Sequence, residues 1–448
     1  MDAQEKKYIQ MTTEPVSGLV ARFAVPAIAC VLMSSFYNMA DTFFVSKLNT
    51  QSVASVGIVF SYMGIIQSIS FFFGHGSGNF ISRALGARET GYAANMASTG
   101  LISALILSAT IALACLAFEN PILKFFGATP TILPYARKYF HFIIAGTPFI
   151  SGSIVLNNQM RLQGNARLSM VGILSGGVLN VLLDPLLIFT FKMGVAGAGL
   201  ATCISQLLCF CLMLRICGTN GGIAIKLSKF SPSVKNYCEI AAGGLPSFIR
   251  QGLMFLSLIC INNAAARYGD SAIAAFSVTS RIIALASSLL IGFGQGFQPV
   301  CGFNYGARKY ARVRDALKFT SLVAAIYCSL FALTAFIFAP GLIRVFSGGD
   351  TDLLKMGTTA LRCHCLTFPL VSIIIISNMF FQNIRKTLPA VIVASARQGI
   401  FFIPAVLLGN LFFGINGLYA AQPISDLAAF ILCLPMLIKE YKRLCAMQ

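Results

Sequence analysis

The chain has 448 residues, of which 57% are apolar and only 10% charged, and its mean hydropathy is +0.79. An ordinary soluble domain carries about 25% charged residues, so this composition excludes one and points to lipid as the solvent. The net charge of +19 could suggest nucleic acid. The basic residues fall singly or in small groups between apolar runs, however, as in the loops of a polytopic membrane protein.

A bilayer-spanning helix needs about 20 mainly apolar residues, which leaves room for many spans and no sizeable soluble domain. In chain order, the apolar runs predict spans at 17–46, 52–82, 92–118, 132–160, 167–191, 195–217, 238–266, 271–300, 314–340, 353–382, 387–411 and 415–438. The polar start MDAQEKKYIQMTTEPVSG precedes a run long enough to stay in the membrane, so no cleaved leader is expected. Most cysteines, among them Cys30, Cys115, Cys203, Cys209, Cys211 and Cys260, lie inside apolar runs, where the residue acts as a small hydrophobe. With a cytoplasmic N-terminus, most basic residues face the cytoplasm, including Lys6, Lys7, Arg22, Arg83, Arg88, Arg161, Arg167, Arg215, Lys226, Lys229, Arg308 and Lys442. Both termini are therefore expected there.

The chain repeats itself at an offset of 220. FFFGHGSGNFISRALGAR, ending at Arg88, lies over IGFGQGFQPVCGFNYGAR, ending at Arg308, and the same offset pairs Pro26 with Pro246, Gly194 with Gly414 and Ser205 with Ser425. Six spans per repeat is an even number, so both halves enter from one side, as parallel repeats about an axis along the membrane normal. The expected fold is an all-α membrane protein of two six-helix bundles: an N-lobe over 1–217, a linker over 218–237 and a C-lobe over 238–448. Such duplication fits an alternating-access transporter with substrate between the lobes, or it serves assembly alone.

Three carboxylates fall well inside spans: Asp41, Asp184 and Asp426. Charge at that depth is costly and invites a functional reading. At about 1.5 Å per residue, Asp41, Asp184 and Thr202 lie roughly 8 to 11 Å from the outer ends of their spans, in one layer. Asn180 shares a helix face with Asp184 at i, i+4, as Asn38 does with Asp41 at i, i+3. Two carboxylates with amide and hydroxyl oxygens can hold sodium, a hard cation, or share a proton, because both cannot be ionised cheaply in a low dielectric. The same groups could instead only tie helices 1, 5 and 6 together. Pro26 and Pro185 each remove a backbone hydrogen bond from a helix that carries one of these acids, so both are candidate bending points.

The stretch PAIACVLMSSFYNMADTFFVSKL from Pro26, the paired Gly-Ala-Arg loops, QGNARLSM and QNIRKTLPA, and LNVLLDPLLIF followed by GVAGAGLAT resemble the multidrug and toxic compound extrusion (MATE) family of the MOP superfamily. The resemblance covers nearly the whole chain. It implies a V-shaped pair of bundles in a bacterial plasma membrane, exporting organic, often cationic, drugs or toxins in exchange for protons or sodium, with no other cofactor. In that family the positions matching Asp41, Asn180, Asp184 and Thr202 form the N-lobe cation site.

The second half lacks a copy of this set, since Asp41 pairs with Ile261. The NorM-like branch carries acids in helices 7 and 10, where this chain has Gln251, Asn262, Asn263, His364 and Thr367, so the sequence leans toward the DinF- and MepA-like branches. Arg250, Arg281, Arg362 and Arg397 sit in spans of this half. They could line a cavity for anionic compounds, pair internally with Asp426 or snorkel. Further substrate-cavity candidates are Arg281, Gln295, Gln298, Met33, Met63 and Met254, with methionine suited to promiscuous contact and equally to packing. His75 and His141 are expected to be structural, and Cys363, His364 and Cys365 are adjacent on one helix and cannot converge on a metal. No phosphate-binding loop and no convergent nucleophile and base appear, so neither ATP-driven pumping nor an enzyme is expected. The expected partners are small molecules and the bilayer, with a monomeric chain and no nucleic acid. The alternative is a lipid-linked oligosaccharide flippase, whose buried arginines would grip a pyrophosphate.

Overall fold

The computed structural model describes residues 3–347 and 349–447, and among them there are helices and no strand. Twelve helices are long and apolar enough to cross a membrane: α1 Val16–Ser46, α2 Thr50–Gly86, α3 Thr90–Ala117, α4 Leu133–Leu162, α5 Ala166–Thr190, α6 Val195–Ile216, α7 Val234–Tyr268, α8 Asp270–Gly306, α9 Tyr310–Ile337, α10 Thr351–Asn383, α11 Thr387–Phe413 and α12 Ile415–Ala446. Each lies on one predicted span. The bounds differ most at the ends of α12 and α8, where the helices run eight and six residues past the predicted spans.

Three shorter helices, Ala3–Thr13, Glu119–Phe125 and Ala339–Ser347, carry too little apolar sequence to have been predicted. The first is tied down by polar contacts. Glu5 pairs with Arg88 at 2.9 Å, the Arg88 guanidinium sits 4.2 Å from the centre of the Tyr8 ring, and Lys7 Nζ donates to Asn165 Oδ1 at 2.7 Å.

The repeat seen in the sequence recurs in the backbone. Arg88 and Arg308 both take left-handed conformations, φ 64° and 58°, just after α2 and α8. Gly194 and Gly414 precede α6 and α12 with φ/ψ of 60°/−139° and 58°/−138°, a region open essentially to glycine alone. Both α5 and α11 contain a π-helical turn, Leu186–Thr190 and Ala396–Ile400. Pro185 immediately precedes the first, and Pro404, which has no N–H to give the carbonyl of Ile400, follows the second.

The chain packs as two compact units, one formed by the described residues up to Glu14 with Val25–Phe248, the other by Pro15–Ala24 with the chain from Ile249 onward. In the first, α4 is central and packs against α2, α3, α5 and α6; in the second, α10 packs against α8, α9, α11 and α12. The chain changes unit inside α1, next to Pro26, and inside α7, next to Pro246. The leading part of α7 lies tight on α2 in the first unit: a Cβ on Gly76 would fall onto the carbonyl of Ile240, and Arg83 pairs with Glu239 at 3.4 Å. The leading part of α1 does the same on α8 in the second, where a Cβ on Gly296 would meet the Ala24 backbone. The segment between α6 and α7 is pinned to the first unit, its Ile223 and Ser231 amides donating to Gln163 Oε1 and Thr99 Oγ1.

Candidate functional site

Four helices of the first unit bring a polar group together. Asp41 comes from α1, Tyr139 from α4, Asn180 and Asp184 from α5, and Thr202 from α6. The α5 backbone reaches α1 closely because Gly177 leaves room for Met33, whose side chain would collide with any Cβ there. Two turns further along α5, Asp184 is thereby presented to the interior and is 0% exposed; Asp41 is 7% exposed.

The hydrogen bonding within this group is incomplete. The Tyr139 hydroxyl donates to Asp41 Oδ2 at 3.2 Å, and the Asn180 amide approaches Thr202 Oγ1 at 3.4 Å. Asp41 Oδ1, Asn180 Oδ1 and both carboxylate oxygens of Asp184 are buried without a hydrogen-bond partner. Asp41 and Asp184 lie within electrostatic reach of one another and of the Tyr139 hydroxyl. Among the described residues neither acid has an ion pair. Buried polar groups are normally satisfied, so this cluster of orphaned oxygens of one chemical type marks a candidate site. An all-oxygen set suits a hard cation such as sodium, or a proton shared between the acids.

Tyr139 was not anticipated. A usable signal existed, because it lies near the outer start of the fourth predicted span, at about the depth of Asp41, but an isolated tyrosine in an apolar run reads first as packing. Asn38 is half-buried, and its amide turns back to the Ser34 carbonyl at 2.7 Å, so it stands beside this group. Pro26 lies inside α1 and Pro185 at the junction with the π-helical turn.

The cavity candidates fare differently. Met33 fills the α1–α5 gap, and Met63 packs on the apolar core around Val59, Tyr62 and Ile143. Met254 is 46% exposed, Arg281 is exposed along α8, Gln295 is half-buried and Gln298 buried. His141 pairs with Glu119 at 3.1 Å, and His75 lies 3.3 Å from the buried Arg161. Among the described residues no group of three or more His, Cys, Asp or Glu side chains could hold a metal ion, and Cys363, His364 and Cys365 form none.

Asp426, the third buried acid, is fully engaged. Arg397 Nε and Gln422 Nε2 donate to its Oδ1, each at 2.8 Å, and the Thr367 hydroxyl to its Oδ2 at 3.1 Å. Arg362 is exposed and bonds the Phe336 carbonyl, so of the four arginines Arg397 alone pairs with Asp426.

Comparison with known proteins places this geometry in context. The MatE family model matches residues 26–186 and 246–407, one match per repeat. Multidrug export protein MepA of Staphylococcus aureus is 26% identical over 426 residues, covering 93% of each chain. A MOP superfamily transporter from Pyrococcus furiosus superposes with a TM-score of 0.90 at 25% identity, covering 97% of this chain and 98% of the other. A crystal structure of MATE in the bent conformation gives 0.91 at 26% identity, covering 98% of each.

Proposed function

The chain belongs to the MatE family, and on that premise we propose that it is a multi-pass membrane exporter of small organic compounds, driven by entry of protons or sodium at Asp41 and Asp184. It is a transporter, not an enzyme. The observation that carries the coupling is the buried pair Asp41 and Asp184, whose free oxygens have no cationic partner. Neutralisation by an incoming cation removes most of the cost of holding these carboxylates away from water. Occupied and empty states therefore favour different packings of α1, α4, α5 and α6 around them.

The bending points follow from the chain itself. Pro26 leaves α1 short of a backbone bond where the helix leaves one packing unit for the other, and the π-helical turn after Pro185 loosens α5 just beyond Asp184. A change of charge at Asp41 thus acts on a helix with a built-in joint. Multidrug specificity is inferred from MepA, a multidrug export protein by name. In this reading the protein is a monomer in a bacterial plasma membrane with both termini cytoplasmic, its two halves acting as lobes.

The flippase alternative needs unneutralised arginines in the second half. Arg397 is paired, and Arg281 and Arg362 are exposed, which leaves Arg250, whose Nε is buried without a partner. The test is dye efflux from proteoliposomes under separately imposed proton and sodium gradients. The reading expects one gradient to drive efflux in the native protein and neither to drive it in Asp41→Asn. Efflux indifferent to both gradients, or undiminished in Asp41→Asn, overturns it.

A further inference from the structure

Near the linker end of the first unit, α3, α6 and the segment after α6 enclose a crevice of about 300 Å³. Its wall is apolar: Leu101, Ile102 and Leu105 from α3, Phe210 and Leu214 from α6, and Ile225 and Leu227 beyond. Its rim is basic. Arg215 lines it in the last turn of α6, and Lys226 lies between the lining residues Ile225 and Leu227, with Lys229 one short turn further on. None of these three has an acidic partner among the described residues, and residues 205–238 contain no Asp or Glu at all. Leu227 itself is 78% exposed beside two lysines.

We propose that this crevice is a binding site for an anionic glycerophospholipid, one acyl chain lying against the Leu, Ile and Phe wall and the phosphate held by Arg215, Lys226 and Lys229. Two features together select that class. An apolar wall on spanning helices is bathed in acyl chains, so the occupant presents hydrocarbon. Basic side chains without acidic partners at the helix end, where headgroups lie, favour a negative lipid over a zwitterionic one. A soluble anion would satisfy the rim and leave the wall uncovered; a zwitterionic lipid would cover the wall and leave the rim uncompensated. The polar anchors of the segment, the Lys226 amide on Ser98 Oγ at 3.2 Å and the Ser231 amide on Thr99 Oγ1 at 3.1 Å, fix its backbone on α3 before any lipid arrives. The lipid would in turn fasten the chain that joins α6 to α7.

The absence of tryptophan from the whole chain makes the test direct. Leu214→Trp puts a single fluorophore in the crevice wall, and Leu113→Trp puts one on α3 at an exposed position away from it. Each full-length protein is reconstituted in phosphatidylcholine vesicles containing dibrominated phosphatidylglycerol or, separately, dibrominated phosphatidylcholine. The proposal expects the crevice tryptophan to be quenched at several-fold lower mole fraction by the brominated phosphatidylglycerol, with no such preference at Leu113→Trp. That preference should vanish when Arg215, Lys226 and Lys229 are all changed to Gln. Equal quenching by both lipids, or a preference that survives the triple change, overturns the proposal. If Leu214→Trp does not fold, Leu227→Trp gives the same readout from the other wall.

Discussion

Arg397 and Asp426 form a buried ion pair, Nε to Oδ1 at 2.8 Å, inside the membrane-spanning part of the second unit. The pair bridges the π-helical turn of α11 to α12, and Ser425 adds a hydrogen bond to the Arg397 carbonyl at 2.5 Å. Asp41 and Asp184 of the first unit have no such partner. One unit therefore carries a neutralised acid and the other carries two that are not, although both descend from the same repeat.

The pair should behave as structure. Asp426→Asn leaves Arg397 buried without its counter-charge, and breaking a buried pair on one side costs about 3–5 kcal/mol. The expected outcome is a clear fall in the melting temperature of the detergent-solubilised protein. Asp426→Leu combined with Arg397→Met should recover most of that loss. Equal melting of Asp426→Asn and the native protein would remove the pair from the structural account.

The Tyr139 to Asp41 bond should be felt in coupling more than in folding. Tyr139→Phe keeps the ring but leaves Asp41 Oδ2 unpartnered as well. A lost hydrogen bond to a charged group is worth about 1–3 kcal/mol. The ion concentration giving half-maximal efflux should shift at least about fivefold while the yield of folded protein holds. The check is an ion titration of dye efflux in proteoliposomes.

Gly76 should tolerate no side chain. Its missing Cβ is what lets the leading part of α7 lie against α2, with Gly243 and Gly244 answering from the other helix. Because the obstacle is backbone, Gly76→Val cannot be absorbed by a rotamer change and should cost about 1–3 kcal/mol or more. Gly57→Ala, where a Cβ would meet open space, is the matched control. Size-exclusion profiles and melting temperatures of the two variants decide it.

Lys7 gives a pH dependence outside the membrane. Burial lowers its pKa from 10.5 to about 8, with Asn165 Oδ1 as its nearest acceptor. Since the undocked lysine holds its proton more tightly, the charged form costs docking energy below pH 8, and that cost is relieved as the pH rises from 8 to 10.5. Methyl-lysine NMR should find a titration midpoint near 8. Protection of residues 3–13 from hydrogen exchange, corrected for intrinsic rates, should increase over that range, and Lys7→Met should abolish the change.

Much of the molecule was legible before folding was considered. The twelve spans follow from runs of apolar residues, because a bilayer gives every spanning segment the same length and polarity requirement regardless of its neighbours. The N-lobe acids were legible for the related reason that charge at that depth is rare. Tyr139 was hidden because a tyrosine has an ordinary packing role, and the partner of Asp426 was hidden because Arg250, Arg281, Arg362 and Arg397 look alike along the chain. Only α11 and α12 packing side by side selects Arg397.

The sequence by itself determined the number of membrane-spanning helices, the internal repeat and the presence of acids in an apolar setting, since these depend on composition counted over a helix length. The tertiary structure alone decided which acids are neutralised and which are not, where α1 and α7 change packing partner, and that Arg215 lines an apolar crevice. Those outcomes depend on distances of a few ångströms between residues remote in the chain, and Coulomb and hydrogen-bond energies fall away too steeply for anything but the packed arrangement to fix them.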